Sequence, residues 1–196
     1  MRRSLILIAS LAAVAAAGAG AAIFVTPPRQ AAAPAPSAIG GPFRLVDQNG
    51  RTVTERDLKG RPTAMFFGFT SCPEICPTTL AEMTAWLKAL GPDADRLQVV
   101  FVSLDPERDT PVQLKQYLSS FDPRIMGLTG TPAQVDAAAK AYRVYHRKVP
   151  LEGGGYTVDH SSATYLMDAQ GRFVEPLGYG EGRERALEKL RVLVRG

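Results

Sequence analysis

Leu5 to Val25 run without a charge, and Arg2 and Arg3 stand just before them. A bilayer needs about 20 apolar residues to be spanned, and a basic flank sets the orientation. A cleavable export signal has a shorter apolar core of roughly 7–15 residues. Ala17-Gly18-Ala19 offers a cleavage site, but Ile23-Phe24-Val25 extend the apolar run beyond it. The pattern predicts an uncleaved signal anchor over residues 1–25, with the arginines cytoplasmic and the rest exported. No cysteine lies nearby, which removes a lipoprotein anchor. A mitochondrial presequence would be amphipathic and richer in arginine. Residues 26–41, TPPRQAAAPAPSAIGG, have no period and are rich in Pro and Ala, which predicts an extended linker. One folded domain then occupies 42–196, large enough for a hydrophobic core.

Inside that domain the pattern changes repeatedly. Phe43 to Val46 and Arg51 to Val53 flank Asn49-Gly50, a hairpin signal. Two continuous apolar runs, one within Pro62–Thr70 and one over Leu97–Leu104, fit strands buried on both faces. Leu80, Met83, Trp86-Leu87 and Leu90 recur at helical spacing over Thr78–Leu90, and Gly91-Pro92 close that helix. Thr110-Pro111-Val112-Gln113 and Thr131-Pro132-Ala133-Gln134 both read as capping boxes, opening helices over 111–121 and 132–142. Tyr142–Val149 and Tyr156–Val158 flank Gly153-Gly154-Gly155 as a long hairpin or flap. Ala163–Asp168 and Arg172–Glu175 form another hairpin, and Gly182–Val194 an amphipathic last helix. Strands alternate with helices early and pair antiparallel late, which predicts an α/β sandwich on a mixed sheet. Trp86 and Phe66-Phe67 belong to its core.

Charge adds little to this picture. The chain carries 23 basic and 19 acidic residues among 196, a net +4. Three of the basic residues precede Gly41 and no acidic residue does, so the domain itself is near neutral and has no footprint for nucleic acid.

The two cysteines change more. Cys72 and Cys76 are the only ones in the chain, and they stand where a buried strand gives way to a helix. Sites collect at strand ends in α/β folds. A helix N-terminus presents free N–H groups that favour a thiolate. One helical turn would put both sulfurs on one face with α-carbons about 6 Å apart, within reach of a disulfide or of one metal ion. Inert burial and a purely structural disulfide are the alternatives, and the second would close too small a loop to contribute much stability. His160, in Asp159-His160-Ser161, would complete a three-ligand set. Soft thiolates favour Cu(I), and structural zinc normally takes four protein ligands. His146 stands among Tyr145, Arg147 and Lys148 and reads as surface. The three glycines form either a loose hairpin tip or a mobile flap that moves His160. Asp105, after the second buried strand, should lie near Cys72 and orient a ligand or tune charge, while Asp109 supports the helix start.

Taken together, GFTSCPEICPTTL, VSLDPERDTP and YTVDHSSATYLMD resemble the SCO/SenC family of thioredoxin-like copper proteins, over about residues 42–194. The resemblance implies a thioredoxin-like, three-layer fold with an N-terminal hairpin and an inserted hairpin. It also implies one copper ion, Cu(I) or Cu(II), on Cys72, Cys76 and His160. The implied role is assembly of the dinuclear copper centre of cytochrome c oxidase subunit II, with that subunit or its copper-delivery proteins and a thiol reductant as partners. The implied place is the periplasmic side of a bacterial inner membrane. The motif is C-x-x-x-C, one residue longer than a redox C-x-x-C, and no proline occurs over Leu151–Ser162, so His160 fills the place of the cis-proline of thioredoxins. Two main functions follow: a copper metallochaperone gated by the redox state of the Cys72–Cys76 pair, or a thiol–disulfide reductase in which Cys72 attacks and Cys76 resolves. A thiol peroxidase is weaker, because Thr70 is one residue too close to Cys72 for a T-x-x-C motif.

Overall fold

The computed structural model describes residues 39–196. The anchor expected over 1–25, and the linker as far as residue 38, lie outside the described residues. Among the described residues no helix is long and apolar enough to cross a membrane. Ile39 already packs against the core, and the Gly40 N–H donates to the Ala141 carbonyl at 2.9 Å. The fold therefore takes up the last three residues assigned to the linker.

The predicted hairpin is β1 (Arg44–Asp47) and β2 (Thr52–Thr54), paired antiparallel. Its loop is closed by Asp47, whose Oδ1 accepts from the Asn49 and Arg51 amides at 2.8 and 2.9 Å. Gly50 supplies the positive φ of 82° that such a three-residue loop needs. The two apolar runs are β3 (Thr63–Gly68) and β4 (Gln98–Ser103), parallel neighbours buried at every residue. Between them lies α1 (Ile75–Leu90), followed by a 3-10 turn over Gly91–Arg96. After β4 come α2 (Pro111–Leu118), β5 (Ile125–Thr129) and α3 (Pro132–Ala141). Then follow β6 (His146–Pro150), β7 (Tyr156–His160), β8 (Thr164–Met167), β9 (Phe173–Leu177) and α4 (Arg183–Arg195).

Seven strands form one mixed sheet in the order β2-β1-β5-β4-β3-β8-β9, with β3, β4 and β5 parallel and the other pairs antiparallel. β6 and β7 stand apart as a two-stranded ribbon. Side chains alternate along β3, and each face has its own cover. On one face Phe66 meets Phe101, which meets Tyr117 of α2, and Gly68 lies against Cys76 of α1; α4 packs on α1. On the other, Phe67 packs against Tyr142, at the end of α3, and against Tyr165. This is a three-layer sandwich. Phe66, Phe67 and Trp86 are all in the core, as predicted.

Three local expectations change. β5 is not visible as a strand in the sequence, because Gly127 interrupts a short and mixed pattern. Its place is set by contacts. The Gln48 side chain accepts from the Gly127 amide at 2.8 Å, and a β-carbon on Gly127 would come within 2.5 Å of Leu118 Cδ1. Second, α1 begins three residues earlier than its apolar period suggested. Pro77 is thus its third residue, where an amide has no helical partner to lose. Third, only Thr131 makes the full capping box with its glutamine. Thr110 accepts from the Gln113 amide, but the Gln113 side chain turns to the Thr110 hydroxyl and not to its N–H.

Replacing an N-cap threonine by alanine costs about 1 kcal/mol. Thr131→Ala is expected to lose that much in urea unfolding, and Thr110→Ala less. Equal losses would contradict the difference in capping.

Candidate metal centre

β3 and β4 end at the same edge of the sheet, and the Leu104 amide donates to the Gly68 carbonyl at 2.7 Å. The chain leaves β3 through Phe69 and Thr70, turns at Ser71–Glu74, and enters α1 at Ile75. Cys72 is therefore in the turn and only Cys76 is on the helix, which corrects the expectation of two thiols one turn apart on one helix face. The turn still brings them together, since the Cys76 amide donates to Cys72 Sγ at 3.4 Å. Both thiols are free.

His160 ends β7, and the ribbon carries it over the cysteine turn. Its Nε2 lies 3.6 Å from Cys76 Sγ. Its Nδ1 lies 2.9 Å from the Ser161 carbonyl. A carbonyl can only accept, so Nδ1 carries the proton and Nε2 presents its lone pair to the sulfurs. Phe66 and Phe69 hold the ring edge-on, with centroids 6.1 and 5.8 Å away. Donor atoms of Cys72, Cys76 and His160 all lie within 4.8 Å of one another. Cys72 and His160 border an open cavity of about 470 Å3, lined also by Pro73, Ile75 and Tyr145, whereas Cys76 is wholly buried. No cis peptide bond occurs among the described residues, and an imidazole stands against the cysteines instead.

Electrostatics departs from the sequence reading. A helix N-terminus was expected to lower a thiol pKa. Cys76 is wholly buried, and that burial pushes its thiol well up, reinforced by the neighbouring Cys72 sulfur and by Asp109. Loss of hydration outweighs the helix end here. Burial also holds the His160 ring below its ordinary value, so it stays neutral and available as a donor. Cys72 is the more accessible thiol. Two sulfurs and a neutral imidazole at these distances fit a soft ion better than a hard one.

The aspartate bound to the cysteine turn is Asp109, where the sequence points to Asp105. Asp105 is fully buried. It accepts from the Tyr156 hydroxyl at 2.7 Å and from Arg108 Nε. Asp109 underlies the cysteine turn, accepting from the Thr70 amide and hydroxyl at 3.0 and 2.6 Å and from the Ser103 hydroxyl at 2.6 Å. Asp105 acts at a remove, because Arg108 lies against the Tyr156 ring (4.1 Å) and farther off over the Phe69 ring (5.9 Å), which touches His160. Tyr156 and Arg108 were not singled out in the sequence. The available signal was the cluster of four charges in Asp105–Asp109, directly after a buried strand. His146 is half-buried beside Asp136 at 3.4 Å and pairs across the ribbon with His160.

A thioredoxin-like α/β fold that carries two thiols and an imidazole at the end of its central strands defines the class. The comparisons narrow it. The SCO1/SenC family model matches residues 31–195. The chain is 46% identical over 158 residues to the mitochondrial protein SCO2 of Saccharomyces cerevisiae, covering 79% of this chain and 52% of that protein. It is 37% identical over 177 residues to protein SenC of Rhodobacter capsulatus, covering 86% and 80%. Among solved structures, copper-bound ScoI of Bradyrhizobium japonicum superposes with a TM-score of 0.75 at 52% identity, covering 80% of this chain and 99% of that one. Copper-bound yeast Sco1 gives 0.76 at 43%, covering 82% and 90%. The chain belongs to the SCO1/SenC family. It spans about half the length of the yeast mitochondrial relatives it matches.

Two outcomes follow from this geometry. A β-carbon on Gly68 would come within 2.7 Å of Cys76 Sγ and 2.9 Å of the Phe101 ring. Gly68→Ala is expected to lower stability by about 1–3 kcal/mol and to displace the sulfur; unchanged unfolding and unchanged thiol reactivity would contradict it. Burial raises the Asp109 carboxyl above its ordinary 3.8, against the pull of its three hydrogen bonds. A raised carboxyl favours folding below 3.8 and loses that contribution as pH rises through the folded value. Urea titrations should show Asp109→Asn gaining on the parent protein as pH rises from below 3.8 towards neutrality. A difference independent of pH would contradict that.

Proposed function

We propose that the chain binds one copper ion between Cys72, Cys76 and His160 and passes it on during assembly of cytochrome c oxidase, at the dinuclear copper centre of subunit II. The observation that carries this reading is the convergence of three donors within 4.8 Å of one another, with Cys72 and His160 bordering an open cavity. Family members with copper bound share the fold at 43–52% identity. Copper is the cargo here. Capture requires the buried Cys76 to give up its proton, and the neutral His160 ring needs none removed from Nε2. Release is easiest at the imidazole, a neutral ligand on a two-stranded ribbon. An incoming protein ligand replaces it first, and the thiolates follow. Oxidation of the pair to a disulfide removes both thiolates and so closes the site to the metal. The reading includes an anchor over residues 1–25 and a linker over 26–38 that hold the domain on the periplasmic side of a bacterial inner membrane.

Unequal exposure of the thiols favours a second reading. Cys72 is accessible and Cys76 buried, which is the arrangement of an attacking and a resolving thiol. In that case the chain reduces the exported cysteines of its target. His160→Ala separates the two. The metallochaperone reading expects loss of most copper affinity and of nitrogen coupling in the Cu(II) EPR spectrum. It also expects Cys72→Ser and Cys76→Ser to abolish stoichiometric binding and the sulfur-to-copper charge-transfer band. A chain that keeps full affinity without His160, or binds copper stoichiometrically without either thiol, would refute it.

A further inference from the structure

The two halves of the donor set come from parts of the fold that share no strand pairing. Cys72 and Cys76 follow β3 of the main sheet, whereas His160 ends a separate two-stranded ribbon. A lone two-stranded ribbon is marginal in water, so something must hold it in register with the cysteine turn. We propose that the loop after β4, Asp105 to Asp109, is the bracket that does so, with Asp109 and Asp105 as positioning residues for the cysteine turn and for His160 respectively. The inference rests on the copper reading for its purpose, though not for its geometry.

Both carboxylates are fully buried. Asp109 ties the loop to Thr70, two residues before Cys72, through the amide and the hydroxyl. Asp105 ties it to Tyr156, four residues before His160, through the phenol at 2.7 Å. Arg108 adds a bond to the Tyr156 carbonyl at 3.0 Å and lies 4.1 Å from its ring centroid. The loop joining the two clasps is itself rigid. Ser103 Oγ accepts from the Asp105 amide at 3.0 Å and donates to Asp109 at 2.6 Å, and the Asp109 amide donates to the Asp105 carbonyl at 2.8 Å. Residues 156, 158 and 160 share one face of β7, since side chains alternate along a strand. Tyr156 is clasped, Val158 is buried, and His160 follows in the same row. Fixing the start of the row therefore fixes where the imidazole arrives. A ribbon ordered beforehand spares copper binding the entropy of ordering it.

The test uses the full chain with Tyr156→Phe, which keeps the ring and removes only the hydroxyl, and Thr70→Val, which removes one bond to Asp109. In the metal-free protein, amide exchange should quicken at 157–160 in Tyr156→Phe and at 70–72 in Thr70→Val, each leaving the other segment protected. With Cu(I) bound, competition against a chelator should show release about tenfold faster in Tyr156→Phe, the size expected for losing a hydrogen bond to a charged group. That increase should vanish in the His160→Ala background, because the clasp acts only through the imidazole. Unchanged exchange in Tyr156→Phe, or a release effect that adds in full to that of His160→Ala, would overturn the bracket. If His160→Ala leaves the nitrogen coupling intact, the ligand assignment fails instead, and metal-free exchange still decides the bracket.

Discussion

Every residue of β3 is buried, so both of its faces must be covered, and the two covers differ in kind. On the Phe67 side the cover is aromatic and continuous, through Tyr142 and Tyr165. On the Phe66 side it is α1, pressed so close at the strand's end that only a glycine fits at position 68 beside the Cys76 sulfur. That close approach does two things at once. It seals the core where the strand stops, and it places one thiol at the boundary between the core and the mouth of the site. The other thiol stays in the turn, half-exposed, because the helix has not yet begun there.

The chemistry follows from this boundary. A thiol held in the core keeps its proton, since an anion there would lose its hydration without a cation to replace it. A soft metal ion is such a cation. The imidazole faces the same balance from the opposite side: burial keeps it neutral, the Ser161 carbonyl fixes its proton on Nδ1, and the lone pair on Nε2 is left for the site. The resting protein thus stores both donors uncharged in a poorly hydrated corner, next to an accessible thiol through which a ligand or partner can approach. The same arrangement suits a metal carrier and a dithiol switch.

Local sequence carried a good deal of this. Asn49-Gly50 specified its hairpin because that turn needs a positive φ, which Gly50 supplies. The continuous apolar runs of β3 and β4 announced strands covered on both faces, and Thr131 with Gln134 announced the start of α3 by a reciprocal bond spanning four residues. β5 was not legible. Its five residues hold a glycine, and they are a strand because they pair with β4 on one side and β1 on the other, with Gln48 accepting from the Gly127 amide. Asp105 and Asp109 stand four residues apart in one charged loop, and nothing in their neighbours in sequence says which faces the cysteines. Their partners, Tyr156 and Thr70, lie 51 and 39 residues away.

By itself the sequence determined the fold class, the thiol pair and its spacing, and, through the resemblance, the histidine that joins it. Those depend on short-range periodicity, turn chemistry and motif spacing, all of which are written locally. Tertiary structure alone decided that Cys72 sits outside the helix, that Cys76 is buried deeply enough for desolvation to overrule the helix end, and that the ribbon bearing His160 is fastened by Tyr156. These depend on which side chains meet across the fold and on how much water remains between them, and no local stretch of sequence fixes either.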